Sequence, residues 1–557
     1  MALEESVGAK RAREGGDGVP AVWLAAVLVV LAAVVPYLST LHNYFVQDDF
    51  GVVALLSSKP ATYFPRWFTS NWMDHIWGYT PDEIRPFPAV SYQLTSLWGA
   101  TTPTAHHALN IAFHAVNGLL VLALGLAAAG LSLPGATVAA LVFVALPVQS
   151  ESVAWITGRV DSMPTLAYLA SFLCWVRWRA DEGQRGRYGW ALAWLFLALF
   201  TKQNTITLGP ALVAFDWLMG RRPSGWNPRG VWAWARPYLP FAALTLAFLA
   251  LRFVLFGAVV REQSLREGTG AFFLTTVSLH LRHMVFGLET AAPWTSGLGL
   301  AALIGVVAVV AAAWWRTGVR RGRTGRQFVY WGVVWMALGL LPIAVAGYSS
   351  PRHVYLAAVG FAVALGVAFD VVAALRPAAL GRALASIGAV ALLTLYGTQL
   401  RAEVRDWNRR AALSQQAVRD LETTVRAAVP GTLVLAGVPQ SSWEWAVPFV
   451  LRPPYVADDL TGRVTLVTPR FLHCCRHEWD SYTRDALGRW LAKGADAPLV
   501  ALFWDERTGA LSQTTGEEEP TLRTMMTVLR STDTDVAMDE ALRHLLEQVV
   551  APHRRRP

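Results

Sequence analysis

Two adjacent carboxylates, Asp48 and Asp49, stand just after a first apolar run, in the stretch Asn43-Tyr-Phe-Val-Gln-Asp48-Asp49-Phe50. A carboxylate at a membrane surface can act as a general base on an acceptor hydroxyl. Two together can also hold a divalent cation. Arg85-Pro86 closes the same loop. Its guanidinium fork can bind two phosphate oxygens at once, or it can sit in an interfacial ion pair. The next polar feature is a stripe, His107, Asn110, His114 and Asn117, at helical spacing within an apolar run. Such a stripe must face other helices rather than lipid. Interhelical hydrogen bonding is the preferred reading, with metal or substrate binding as the sharper one.

Glu151, Arg159 and Asp161 fall within a dozen residues of one another in Gln149-Ser-Glu151-Ser-Val-Ala-Trp155-Ile-Thr-Gly158-Arg159-Val-Asp161. An Arg–Asp pair there is structural; an unpaired Arg159 is an anion site. Lys202 sits in the very short loop Thr201-Lys202-Gln203. A lone ammonium at that depth needs a partner, and a lipid phosphate is one candidate. Arg352 and His353 stand at another loop end, in Ser349-Ser-Pro-Arg352-His353-Val-Tyr355.

These residues need elements to hold them at one face. Of 557 residues, 54% are hydrophobic and 16% charged, with a mean hydropathy of +0.36. Soluble domains run at about 25% charged, so disorder, collagen and coiled coil are excluded and a polytopic membrane protein is expected. The net charge of +9 comes from short loops, the usual topology signal, and no nucleic-acid motif is present. Apolar runs predict about eleven spans, near 21–38, 108–129, 133–148, 162–178, 189–201, 204–219, 237–256, 298–315, 327–346, 354–374 and 383–399. The stretch 276–290 holds Arg282 and His283 and reads as interfacial or re-entrant. Arginine-rich loops after the fourth, sixth, eighth and tenth of these spans all fall on one side with the N-terminal tail. That side is the cytoplasm by the positive-inside rule. The acid pair and the isolated cations then share the outer face.

Beyond residue 400 hydropathy falls. Short apolar runs at 431–437, 463–469 and 498–504, with amphipathic stretches at 412–427 and 537–550, predict a small α/β domain outside the membrane. The expected division is a tail at 1–20, a membrane domain at 21–400 with its first outer loop at 39–107, and the α/β domain at 401–557. Cys474 and Cys475 are adjacent and read equally as a vicinal disulfide or as two thiols.

The chain resembles a GT-C superfamily glycosyltransferase. It is most similar to bacterial relatives of the transmembrane-and-tetratricopeptide O-mannosyltransferases, and more distantly to the protein O-mannosyltransferases. The resemblance rests on Phe45-Val-Gln-Asp48-Asp49, Arg85-Pro86, the His107-to-Asn117 stripe and the 146–161 segment, then on Thr201-Lys202, Phe215-Asp216-Trp217, Arg352-His-Val-Tyr355 and Trp407-Asn408. It implies inverting transfer of a sugar from a polyprenyl-phosphate donor to a protein, lipid or glycan acceptor, outside a bacterial inner membrane. Asp48 or Asp49 would be the base, and the pair could hold a divalent metal if one is used. Arg85, Arg159, Lys202 and Arg352 would converge on the donor phosphate, with Glu151, Asp161, His107 and His353 as further site candidates. The family often carries His where Gln149 stands, Glu where Gln203 stands, and Tyr where His353 stands; tetratricopeptide repeats are absent. The rival readings are a polyprenyl-lipid or sugar transporter or flippase, and a non-catalytic scaffold of the same fold.

Overall fold

The computed structural model describes residues 18–73, 83–99, 102–259, 271–288, 323–346, 350–437, 449–467, 489–490, 492–493, 497–505 and 507–513. The expected span at 298–315, the helix at 537–550, Cys474 and Cys475 lie outside these residues. Among the described residues the helices are α1 (Gly18–Val34), α2 (Asp49–Ser57), α3 (Pro86–Gly99), α4 (Thr104–Ala127), α5 (Leu133–Ala145), α6 (Ser150–Ala154), α7 (Arg159–Ala180), α8 (Arg185–Leu199), α9 (Leu208–Leu218), α10 (Pro228–Ala235), α11 (Leu239–Phe256), α12 (Ala271–Phe286), α13 (Arg323–Val329), α14 (Met336–Ala346), α15 (Tyr355–Ala373) and α16 (Ala378–Ala427). Four strands follow: β1 (Thr432–Gly437), β2 (Val464–Val467), β3 (Leu499–Asp505) and β4 (Ala510–Gln513).

Among the described residues, six helical segments are long and apolar enough to cross a membrane: Val19–His42, Thr104–Ala127, Pro228–Phe256, Thr324–Ala346, Pro351–Ala373 and Ala378–Ala427. A seventh is a bent pair, Leu133–Ala145 with Pro147–Ala154, broken by 53°. The bend has a local cause. Leu146 precedes Pro147 and takes an extended ψ of 126°, because a proline disfavours the α region for the residue before it. The other expected spans differ for physical reasons. Helix α7 has 22 residues but carries Arg159, Asp161, Arg177 and Arg179. Helices α8 and α9 have 15 and 11 residues, too short to cross alone. The 276–290 stretch lies largely within α12, a helix of 16 residues.

The chain divides into two units: residues 1–38 with 108–405, and residues 39–107 with 406–557. In the first, α5 packs along α15, and α7 along α8. Small residues allow these approaches. A Cβ on Gly366 would lie 2.6 Å from the Gly135 carbonyl oxygen, and one on Gly360 would lie 2.5 Å from that of Trp331. At the start of α5, Ser132 Oγ accepts from Gly135 N at 3.1 Å, a conventional N-cap. Asp370 Oδ2 accepts from Ser132 N at 2.8 Å.

The second unit combines the first loop with the C-terminal segment. Its sheet has the order β2-β1-β3-β4. β1 runs parallel to β2 and β3, and β3 pairs antiparallel with β4. β1 is the most apolar strand, with Leu433, Val434, Leu435 and Ala436 buried, as expected of a parallel strand covered on both faces. Arg463 Nε and Nη2 donate to the carbonyls of Val425 and Ala428 at 3.0 and 2.9 Å. This satisfies backbone oxygens left open at the end of α16.

Candidate active site

The acid pair lies in the second unit at the start of α2. Gln47, just before it, has φ of +56°, a left-handed conformation uncommon outside glycine. That turn separates the surroundings of the two acids. Asp49 is 1% exposed, and its Oδ2 accepts from Val46 N at 3.0 Å. The carboxylate reaches back three residues, much as in a capping box. Asp48 is half-buried and makes no side-chain capping bond. Asp49 thus fixes the loop, while Asp48 is the more accessible acid.

The C-terminal segment grips this loop. Tyr455 Oη donates to Phe50 O at 2.5 Å and to Asp49 O at 3.3 Å. Its ring packs on Phe45 and Phe50, with centroids 5.0 and 4.6 Å away. Tyr44 Oη donates to Tyr455 O at 3.2 Å, and Ser414 Oγ to Phe45 O at 2.7 Å. Asn408 accepts from Asn43 Nδ2 and donates to Ser39 Oγ, both at 3.0 Å. Burial, reinforced by the Asp49 carboxylate and Tyr44, holds the Tyr455 hydroxyl well above the usual phenol range. It therefore stays protonated and able to donate. His107 Nε2 meets Asn43 O at 3.2 Å and is a further tie on the loop.

Arg85 belongs to the same unit. Its Nη2 donates to Glu83 Oε1 at 2.7 Å, and Trp72 Nε1 donates to Glu83 Oε2 at 2.9 Å. The guanidinium lies 5.4 Å from the Trp72 ring centroid. Glu83, which the sequence reading passed over, is what pairs this arginine.

The other charged candidates lie together in the first unit. Glu151 Oε1 accepts from Arg352 Nη1 at 3.1 Å and from Ser350 Oγ at 2.6 Å. Arg352 Nε lies 3.5 Å from Asp161 Oδ2, and Asp161 Oδ1 pairs with Lys202 Nζ. Arg352 also lies over the Trp155 ring at 4.6 Å. Arg159, fully buried, donates through Nε to Asn110 Oδ1 at 3.0 Å. Asn110 Nδ2 in turn donates to Trp155 O at 2.7 Å. These residues form one network, buried at Arg159, Asp161 and Lys202 and half-buried at Glu151 and Arg352. Gly158 makes its tight turn possible: a Cβ there would sit 2.3 Å from Glu151 O. His353 is buried beside Arg352 in the turn Pro351–Val354.

The rest of the stripe on α4 bonds between helices. His114 Nδ1 meets Tyr355 Oη at 2.7 Å and its Nε2 meets Val144 O at 3.2 Å. Asn117 Nδ2 donates to Ser162 O at 2.9 Å. Asp216 closes a separate clasp, accepting from Arg179 Nε and Tyr238 Oη, each at 2.7 Å. Among the described residues no three His, Cys, Asp or Glu side chains group as a metal site.

No family model matches the chain. Its sequence is 29% identical over 164 residues to human protein O-mannosyl-transferase TMTC3, covering 28% of this chain and 17% of that protein. It is 30% identical over 164 residues to mouse protein O-mannosyl-transferase TMTC2, covering 28% of this chain and 19% of that one. The chain resembles the protein O-mannosyltransferases. It spans under a fifth of the length of these curated relatives. Among solved structures, ArnT from Cupriavidus metallidurans bound to undecaprenyl phosphate aligns with a TM-score of 0.49 at 17% identity, over 87% of this chain and 93% of that one. The apo oligosaccharyltransferase of Archaeoglobus fulgidus aligns with a TM-score of 0.49 at 12% identity, over 88% and 69%.

Proposed function

We propose that this protein is a membrane glycosyltransferase of the GT-C type. It moves a sugar from a polyprenyl-phosphate donor to an acceptor hydroxyl at the outer face of the membrane. The observation that carries this reading is the charged network of Glu151, Arg159, Asp161, Lys202 and Arg352 in a chain that resembles O-mannosyltransferases. Buried and half-buried cations held at helix ends suit the phosphate of a lipid carrier. Preorganised cations stabilise the charge that grows on the phosphate as the glycosidic bond breaks. Glu151 and Asp161 keep the cations in place, and their side chains are the groups a phosphate would displace or share.

Asp48 is the general base in this scheme. It accepts the proton of the acceptor hydroxyl as that oxygen attacks the anomeric carbon. Asp49 positions it by holding the loop through Val46 N. Asp48 and Asp49 are the residues that would hold a divalent cation together with donor phosphate oxygens; no step here runs through a metal. Attack from the face opposite the leaving phosphate gives inversion. Arg85, tied to Glu83, is the fourth cation proposed for the donor phosphate.

The test is transfer or hydrolysis by the purified protein with a panel of polyprenyl-phosphate sugars. Turnover of at least one donor by the wild type is expected. A loss of about 10²–10⁴-fold in Asp48→Asn is the size that removing a general base predicts. A wild type inert to the whole panel would count against the reading.

A further inference from the structure

Gln149 is fully buried, yet among the described residues neither its Oε1 nor its Nε2 has a hydrogen-bond partner. Buried polar side chains are nearly always bonded, and each exception calls for a physical reason. Here both ends of one amide are open. Gln149 ends the turn Pro147–Gln149, two residues before Glu151. That turn packs against Pro351–Val354, which carries Arg352 and His353, and against α12, which carries the buried His280 and His283. Gln149 is thus a neutral donor–acceptor at the edge of the charged network.

The amide's chemistry narrows what would meet it. A phosphate oxygen could accept from Nε2 but would be repelled by Oε1. A cation could meet Oε1 but not Nε2. A hydroxyl both donates and accepts, and two hydroxyls on adjacent carbons would satisfy both ends at once. We propose that Gln149 reads vicinal hydroxyls of the donor sugar. The inference rests on the polyprenyl-phosphate-sugar reading of the neighbouring network and deepens it. It assigns the phosphate to the cations and the sugar ring to Gln149, and it names the sugar class as one with free adjacent hydroxyls rather than an acetamido or deoxy group at that edge.

The experiment compares equilibrium binding of two ligands, bare undecaprenyl phosphate and undecaprenyl-phosphate mannose, to wild type and to Gln149→Met. The variant keeps side-chain length and removes both polar ends. The wild type should bind the mannose-bearing lipid about tenfold more tightly than the bare one, the size expected of a pair of net hydrogen bonds. Gln149→Met should bind the bare lipid as the wild type does and lose that advantage. A variant that keeps the full advantage overturns the inference. So does a wild type that binds both lipids equally, although the phosphate reading then survives. A wild type that binds neither lipid overturns both. Should Gln149→Met fail to fold, the wild type is offered the same lipid with its sugar O-methylated, which removes the hydroxyl protons. About tenfold weaker binding is expected, and unchanged binding overturns the inference.

Discussion

Asp48 and Asp49 are adjacent in sequence and differ in surroundings: one half-buried, the other sealed and bonded to Val46 N. Asp49→Asn keeps an oxygen for that bond, so it should cost less turnover than Asp48→Asn. Asp49→Ala removes the acceptor and should destabilise the loop by about 1–3 kcal/mol, the cost of an unmet buried donor. Limited proteolysis of the first loop against overall melting would separate the local from the global effect. In the other unit, Asp161 pairs with both Lys202 and Arg352. Removing one member of a buried pair costs about 3–5 kcal/mol, so Asp161→Ala should lower stability by roughly that amount. Asp161→Ala in a Lys202→Met background should cost clearly less. A double-mutant cycle measured by denaturant unfolding checks this, and strict additivity would show that the pair is not coupled. These charged residues were legible in the sequence because each interrupts an apolar stretch. Their pairing was not, since Arg352 lies 201 residues from Glu151.

At the scale of elements, the acid loop is fixed by a segment far along the chain. Tyr455 is 405 residues from Phe50, and no local pattern marks it as a partner. Tyr455→Phe keeps the ring packing and leaves the Phe50 carbonyl without its donor. It should reduce turnover more than donor affinity, because the loop that holds Asp48 loosens while the cation network in the other unit is untouched. Steady-state kcat and KM for the donor test this, and an effect confined to KM would contradict it. The raised Tyr455 ionisation also has a sign. Folding favours the neutral hydroxyl, so its stabilisation is complete below the ordinary phenol range of about pH 10 and is lost as pH rises above it. An alkaline melting transition that moves to higher pH in Tyr455→Phe would be the signature. The strands β1, β2 and β3 were legible as short apolar runs bounded by turn residues. The broken span at Pro147 and the short helices α8 and α9 were less so. Hydropathy registers apolar length, and it does not register the bend that Pro147 imposes through the extended Leu146 before it.

For the whole molecule, the arginine-rich loops predict the N-terminus in the cytoplasm, with Asp48 and the C-terminal segment outside. Single cysteines at position 48 and at the exposed Asp459, in a background without Cys174, Cys474 and Cys475, should both react with an impermeant reagent on intact cells. Reaction at either site only after lysis would reverse the topology. The central claim is that this chain transfers a sugar from a lipid phosphate with Asp48 as base. Its most direct test is the turnover of a purified preparation on polyprenyl-phosphate sugars, comparing wild type with Asp48→Asn while donor binding is measured on the same samples. The account predicts that the variant binds the donor as the wild type does and turns over about 10²–10⁴-fold more slowly. Turnover by Asp48→Asn at the wild-type rate would contradict it.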